Sequence, residues 1–153
     1  MTKNFKGKYN LNERWAESTR VIESYPERVP VICERSNYTS ADCPYIDKNK
    51  YLIPMDLTVG QFIYTIKKRL NIQPNYAIFL FINNLMPLSS QTFGNLYKKH
   101  KDIDGFLYIT YAYENTFGST FESTFEKLEG NISNSTSNST SNSTSNSAFD
   151  HKL

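Results

Sequence analysis

A two-layer α+β domain, with a mixed sheet crossed by one long helix, is the fold class this sequence predicts. Three features point to it. Two strand-like runs follow each other at Arg28–Arg35 and Lys48–Pro54, and a strongly periodic helix at Thr58–Leu70 separates them from two more strands. An amphipathic helix precedes the first strand. The composition then changes sharply beyond Gly118, which bounds the domain.

The first long helix is read over Leu11–Ser24. Asn10 is placed to cap it, Glu13 to close a capping box, and Tyr25-Pro26 to stop it. Leu11, Trp15, Ser18 and Ile22 form its expected inner stripe. Ahead of it, Phe5 with Lys3, Lys6 and Lys8 suits a short extra helical turn. In Arg28–Arg35, Val29, Val31 and Cys33 fall on one face, so Cys33 is expected to be a small core residue. Pro30 and Pro54 suit strand ends or edges. Thr58 and Gln61 form a second capping box, and Val59, Phe62, Ile63, Ile66 and Leu70 recur at helical spacing. Lys67, Lys68 and Arg69 complement the dipole at the helix end. Tyr76–Ile82 is an apolar run of strand length, Asn83-Asn84 a turn, Ser90–Lys99 a short helix, and Phe106–Tyr111 a last strand. This order is compatible with a β-grasp fold without selecting it.

The chain has 153 residues, and from Asn131 to Ser147 it is almost entirely Asn, Ser and Thr. Such a tract has too few apolar groups to offset the entropy of ordering it, so 119–153 is expected to be disordered and 1–118 to be the single folded domain. Within Met1–Gly118, 15 Lys and Arg face 11 Asp and Glu. That bias is too mild for a nucleic-acid binder. No run of 18 apolar residues and no hydrophobic leader is present, so cytosolic synthesis is expected. Cys33 and Cys43 are then expected to stay reduced, and with His100 and His151 they lack any metal-ligand spacing.

Enzymatic chemistry finds no support. There is no phosphate-binding glycine loop and no Gly-x-Ser-x-Gly elbow. His100 closes a helix inside a lysine cluster, which suits a solvated residue, and Asp102/Asp104 reads as a solvated turn. The chain is therefore expected not to be an enzyme and to need no cofactor.

Tyr25–Ile32, Ile46–Pro54, Asp56–Phe62, Lys101–Tyr108 and Glu114–Gly118 closely resemble, in order, the autophagy ubiquitin-like modifiers, the proteins related to GABARAP, the microtubule-associated light chain 3 and yeast autophagy-related protein 8. Asp56-Leu-Thr-Val-Gly-Gln-Phe62 looks most like the GABARAP and yeast-type branch. The resemblance stops at Ser119. It implies a ubiquitin-like β-grasp core behind two added helices, and a processing cycle. A cysteine protease that recognises Phe117 cuts after Gly118. Activating and conjugating enzymes then pass the new carboxyl to phosphatidylethanolamine, bringing the protein from the cytoplasm to autophagosomal membranes and cytoplasmic vesicles. A glycine terminus suits this relay, because without a Cβ its carbonyl can be closely approached, and the nucleophiles belong to the partners. A glycine in a loop is the alternative for Gly118 taken alone. The product carries two acyl chains, enough for stable anchoring.

The resemblance also implies that aromatic-x-x-aliphatic peptides of receptors and adaptors add a strand to the edge of the second strand. Glu17, Val21, Pro30, Ile32, Lys50, Leu52 and Phe106 would surround the aromatic side chain. Tyr51, Ile53, Pro54, Leu57, Phe62 and Cys33 would line the aliphatic site. Lys48, Lys50 and Arg69 would meet acidic flanking residues, and Arg28 would belong to the same receptor-peptide-binding surface. Val21, Cys33, Asn49 and Thr65 depart from the usual family pattern, which bears on peptide preference. The competing function is a non-conjugated docking adaptor in vesicle trafficking or on tubulin and microtubules.

The tail is long for such a protein. It opens with the slipped repeats Asn115–Gly118, Ser119–Glu122 and Ser123–Glu126, of which only the first ends in glycine. Phe125-Glu-Lys-Leu128 matches the docking pattern and has Glu122, Glu126 and Glu129 nearby. The residues between Gly118 and Phe125 span at most ~20–25 Å, which permits docking onto the chain's own edge before cleavage.

Overall fold

The computed structural model describes residues 3–115 and 148–151. Two helices come first, α1 (Phe5–Lys8) and α2 (Leu11–Ser24). Asn4 caps the one and the Asn10/Glu13 capping box opens the other. Strands β1 (Arg28–Arg35) and β2 (Lys50–Pro54) follow, then α3 (Val59–Arg69) with the Thr58/Gln61 box. β3 (Tyr76–Phe81), α4 (Phe93–His100) and β4 (Leu107–Asn115) complete the order.

The sheet order is β2-β1-β4-β3, with β1 antiparallel to β2, parallel to β4, and β4 antiparallel to β3. Because β2 and β3 are the two edges, the connection through α3 must cross a whole face of the sheet. That face holds the main core: Val29, Val31 and Cys33 of β1, Tyr51 and Ile53 of β2, and Phe62 and Ile66 of α3. Each such large apolar side chain contributes about 1.5–3 kcal/mol by leaving water. The result is a β-grasp sheet with two helices added at the N-terminus. Cys33 is fully buried, and burial pushes its thiol up from the usual range.

Pro30 lies in a central strand without costing a ladder bond. Cys33 donates its N–H to Asn49 O, so the odd residues of β1 face β2 and the even ones face β4. The β1–β4 pairing begins only at Val31, one residue after the proline. The long loop before β2 is held by Arg35, whose guanidinium donates to the carbonyls of Cys43 and Ser40, and by the Tyr111 hydroxyl on Pro44 O.

Two sequence expectations are corrected on the opposite face. The inner line of α2 is Arg14, Ser18 and Val21, whereas Trp15 is 57% exposed and Leu11 also faces solvent. Ser18 Oγ donates a 2.5 Å bond to Asp104 O beside Gly105, which has φ +86° and no room for a Cβ against Ser18. A small polar residue is required there, so hydropathy alone points to the wrong stripe. Asp104 is likewise not in a solvated turn. It is fully buried and accepts from Arg14 Nε at 2.8 Å, the Tyr108 hydroxyl at 2.6 Å and Phe106 N at 3.0 Å. A buried carboxylate needs such a set of donors. Burial and this carboxylate together raise the Tyr108 phenol above its ordinary range.

Candidate peptide-docking edge

Strand β2 pairs through its odd residues with β1, as in Tyr51↔Val31, so its even residues turn their backbone groups outward. Three outward groups matter. Lys50 O and Leu52 N are open to an added strand, while Leu52 O is reached by Arg28 Nη1 at 3.0 Å. Pro54 has no N–H and ends the usable edge.

Above the Lys50 end of this edge lies an aromatic recess built by α1, β1 and the entry to β4. Phe5 meets Phe106 edge-on at 5.3 Å between centroids, and Ile32 packs with both. Phe5 is held there because its N–H donates to Glu34 Oε2 at 2.9 Å. Burial raises the Glu34 carboxyl above its ordinary range, an effect that the Phe5 N–H, Lys8 and Lys6 oppose. Lys50 Nζ sits 5.5 Å from the Phe5 ring and 5.6 Å from the Tyr9 ring, and pairs with Glu17 Oε1 at 2.6 Å. The recess is thus apolar in its walls and cationic at its rim, suited to the face of an aromatic ring.

The edge is occupied by the chain itself. Asp150 N donates to Lys50 O at 3.1 Å, and Leu52 N donates to Asp150 O at 3.2 Å, making a parallel bridge opposite Tyr51. Phe149 lies parallel to Phe106, 6.2 Å away, with Lys50 Nζ 5.4 Å from its ring. On the other side of the added strand, the buried Asp150 carboxylate forms an ion pair with Arg69 at the end of α3. His151 rests against Tyr25 at 5.3 Å. These residues belong to the tract expected to be disordered, and here that expectation is corrected. Phe149 and Asp150 have an apolar recess, two backbone partners and a counter-charge to offset the entropy of ordering them.

The predicted site residues divide between this edge and the core. Glu17, Ile32, Lys50, Leu52, Arg69 and Phe106 converge on the seated segment, with Arg28 beside it. Val21 is buried in α2, and Pro30 in β1. Tyr51, Ile53, Phe62 and Cys33 are fully buried in the main core, leaving Pro54 and Leu57 as the partly exposed members of the expected aliphatic site. Lys48 is exposed just ahead of β2. Phe117, Gly118 and Phe125–Leu128 lie outside the described residues, and the seated segment is a different one. Sequence reading missed the roles of Phe5, Tyr9 and Tyr25. For Phe5 the available signal was the Asn4 cap, which fixes a one-turn helix and aims its first residue inward.

Among the described residues no group of three or more His, Cys, Asp or Glu is placed to hold a metal, and no helix is long and apolar enough to cross a membrane.

Residues 13–118 match the family model described as "Autophagy protein Atg8 ubiquitin like". Autophagy-related protein 8 of Vanderwaltozyma polyspora is 50% identical over 119 residues, which cover 78% of this chain and 99% of the relative. Autophagy-related protein 8d of Arabidopsis thaliana is 49% identical over 114 residues, 74% of this chain and 93% of the relative. Trypanosoma brucei ATG8 superposes with a TM-score of 0.69 at 36% identity, covering 77% of this chain and all of that one. Plasmodium falciparum Atg8, solved in complex with a Plasmodium falciparum Atg3 peptide, gives 0.66 at 32% identity, with 72% and 96% covered. This chain belongs to the Atg8 family of ubiquitin-like autophagy proteins.

Proposed function

We propose that the protein is a modifier cut after Gly118 and joined through that residue to phosphatidylethanolamine on autophagosomal membranes, where its β2 edge recruits receptors bearing aromatic-x-x-aliphatic peptides. The observation that carries the first half is where the likeness ends. The family model closes at residue 118, three residues past the end of β4, and the only glycine at that junction is Gly118. Cleavage there leaves Thr116-Phe117-Gly118 beyond the last strand, ending in a residue without a Cβ. The thiols that form and break the acyl bonds are those of the processing protease and of the activating and conjugating enzymes. The chain itself acts as acyl donor and not as a catalyst.

The second half is supported by the β2 edge, which takes up an extended segment in parallel and a ring in its aromatic recess. Recognition by strand addition draws affinity from backbone bonds and selectivity from the side-chain recesses. That a Plasmodium relative was solved with an Atg3 peptide fits a family surface built for short peptides.

Intact mass of the protein recovered from starved cells tests the reading. A species ending at Gly118 and carrying a phosphatidylethanolamine increment is expected, and Gly118→Ala should abolish it along with membrane association. Full-length mass alone, with function retained in Gly118→Ala, would instead favour the unconjugated adaptor that acts in trafficking or on tubulin.

A further inference from the structure

We propose that Phe149-Asp150 is a built-in competitor that holds the β2 edge shut in the full-length chain, so that one cut after Gly118 both frees the acyl donor and opens the receptor site. The inference rests on the reading of β2 as a peptide-docking edge and adds its regulation.

The contacts of a one-residue parallel bridge are present. Both open backbone groups of the edge, Lys50 O and Leu52 N, are taken by a single residue, Asp150. The preceding side chain is aromatic and fills the recess of Phe106, Phe5 and Lys50. Because side chains alternate along a strand, the residue next to the ring turns to the opposite side, and there Asp150 meets Arg69. A peptide in solution needs the same two backbone groups and the same recess, so the two occupants exclude each other.

The arrangement also states what the edge selects. It takes an aromatic residue followed at once by an acidic one, running parallel to β2. A basic residue in the second position would face the Arg69 guanidinium and be rejected.

Closure within one molecule is within reach. About 33 residue steps separate Asn115 from Ala148, enough to span at most ~110 Å, far beyond the size of the domain. A tethered competitor acts at a high effective concentration, millimolar for short linkers and lower for long ones. The apparent affinity for an outside peptide falls in proportion to the fraction of open molecules.

The test uses the full-length chain and a fluorescein-labelled synthetic peptide containing Trp-Asp-Glu-Leu. Phe149→Ala/Asp150→Ala changes only the seated segment and leaves the core residues untouched. This variant is expected to bind the probe more tightly than the unmodified chain by the reciprocal of the open fraction, about tenfold where one molecule in ten is open. Monomeric mass in light scattering is expected for both. Equal binding by the two proteins overturns the inference while the docking reading stands. Failure of both to bind removes the docking reading, and the inference with it. A dimer of the unmodified chain that dissociates in the variant would place the segment on a second copy, which also overturns closure within one chain.

Discussion

Lys50 Nζ lies 2.6 Å from Glu17 Oε1 while only 2% of the lysine side chain is exposed. The pair joins α2 to the edge strand, and it fixes the cation among the rings of Phe5, Tyr9 and Phe149. Removing one partner leaves a buried charge uncompensated. Glu17→Gln is therefore expected to cost about 3 kcal/mol in urea unfolding, and adding Lys50→Met should restore most of it. A double variant no more stable than the single one would refute the account.

The Tyr51 hydroxyl is buried without a hydrogen-bond partner among the described residues. Burial, its largest cause, raises the phenol above its ordinary range. An unsatisfied hydroxyl contributes nothing to offset its desolvation, so Tyr51→Phe should leave thermal stability unchanged or raise it by up to ~1 kcal/mol. A loss above about 2 kcal/mol would show that the hydroxyl is satisfied after all.

Glu34 supplies a pH dependence. Its folded pKa is raised above the unfolded value, so its contribution to stability is fully present below the unfolded pKa and is lost as pH rises through the folded one. Across the weakly acidic range, the unmodified protein should lose stability relative to Glu34→Gln as pH increases. Denaturant midpoints measured at several pH values check this, and the opposite slope would sink it.

Arg69 anchors Asp150 and also lies 5.5 Å from the Tyr51 ring. With the counter-charge removed, the added strand should open more often. The Leu52 amide, bonded to Asp150 O, is expected to exchange with deuterium several-fold faster in Arg69→Ala, while the Cys33 amide, bonded to Asn49 O, keeps its protection. Equal acceleration at both amides would point to general loosening of the sheet.

Local signals were legible wherever chemistry is local. The Asn10/Glu13 and Thr58/Gln61 boxes place their helix starts correctly, and the bounds of α2 and β1 agree with the sequence reading. β4 is longer than the Phe106–Tyr111 expected, because its extension through Asn115 is held by pairing with Tyr76–Phe79 of β3, a partner distant in sequence. The inner face of α2 was misread because Arg14 and Ser18 are turned inward by hydrogen bonds to Asp104 and not by hydropathy. Asp104 was misread for the same reason. At the candidate site, the recess residues Ile32, Lys50 and Phe106 were named, but its occupant was not. Phe149-Asp150-His151-Lys152 lacks an aliphatic residue at the fourth place, so the four-residue pattern selects Phe125–Leu128 instead. What seats Phe149 is the coincidence of ring recess, backbone pair and Arg69, which exists only in three dimensions.

The parallel pairing of β1 with β4 has a directional consequence. Both strands finish at the same end of the sheet, and β2, antiparallel to β1, begins there with Lys50 opposite Ile32. Tyr111 is level with the end of β1 at Arg35 and β4 runs four residues further to Asn115, so under the proposed conjugation at Gly118 the anchor would hold this end of the molecule against the bilayer. Any strand laid parallel to β2 would then start near the lipid and run away from it. Recruited proteins would arrive with a fixed polarity, the segment before the aromatic residue towards the membrane and the rest of the chain directed into the cytoplasm.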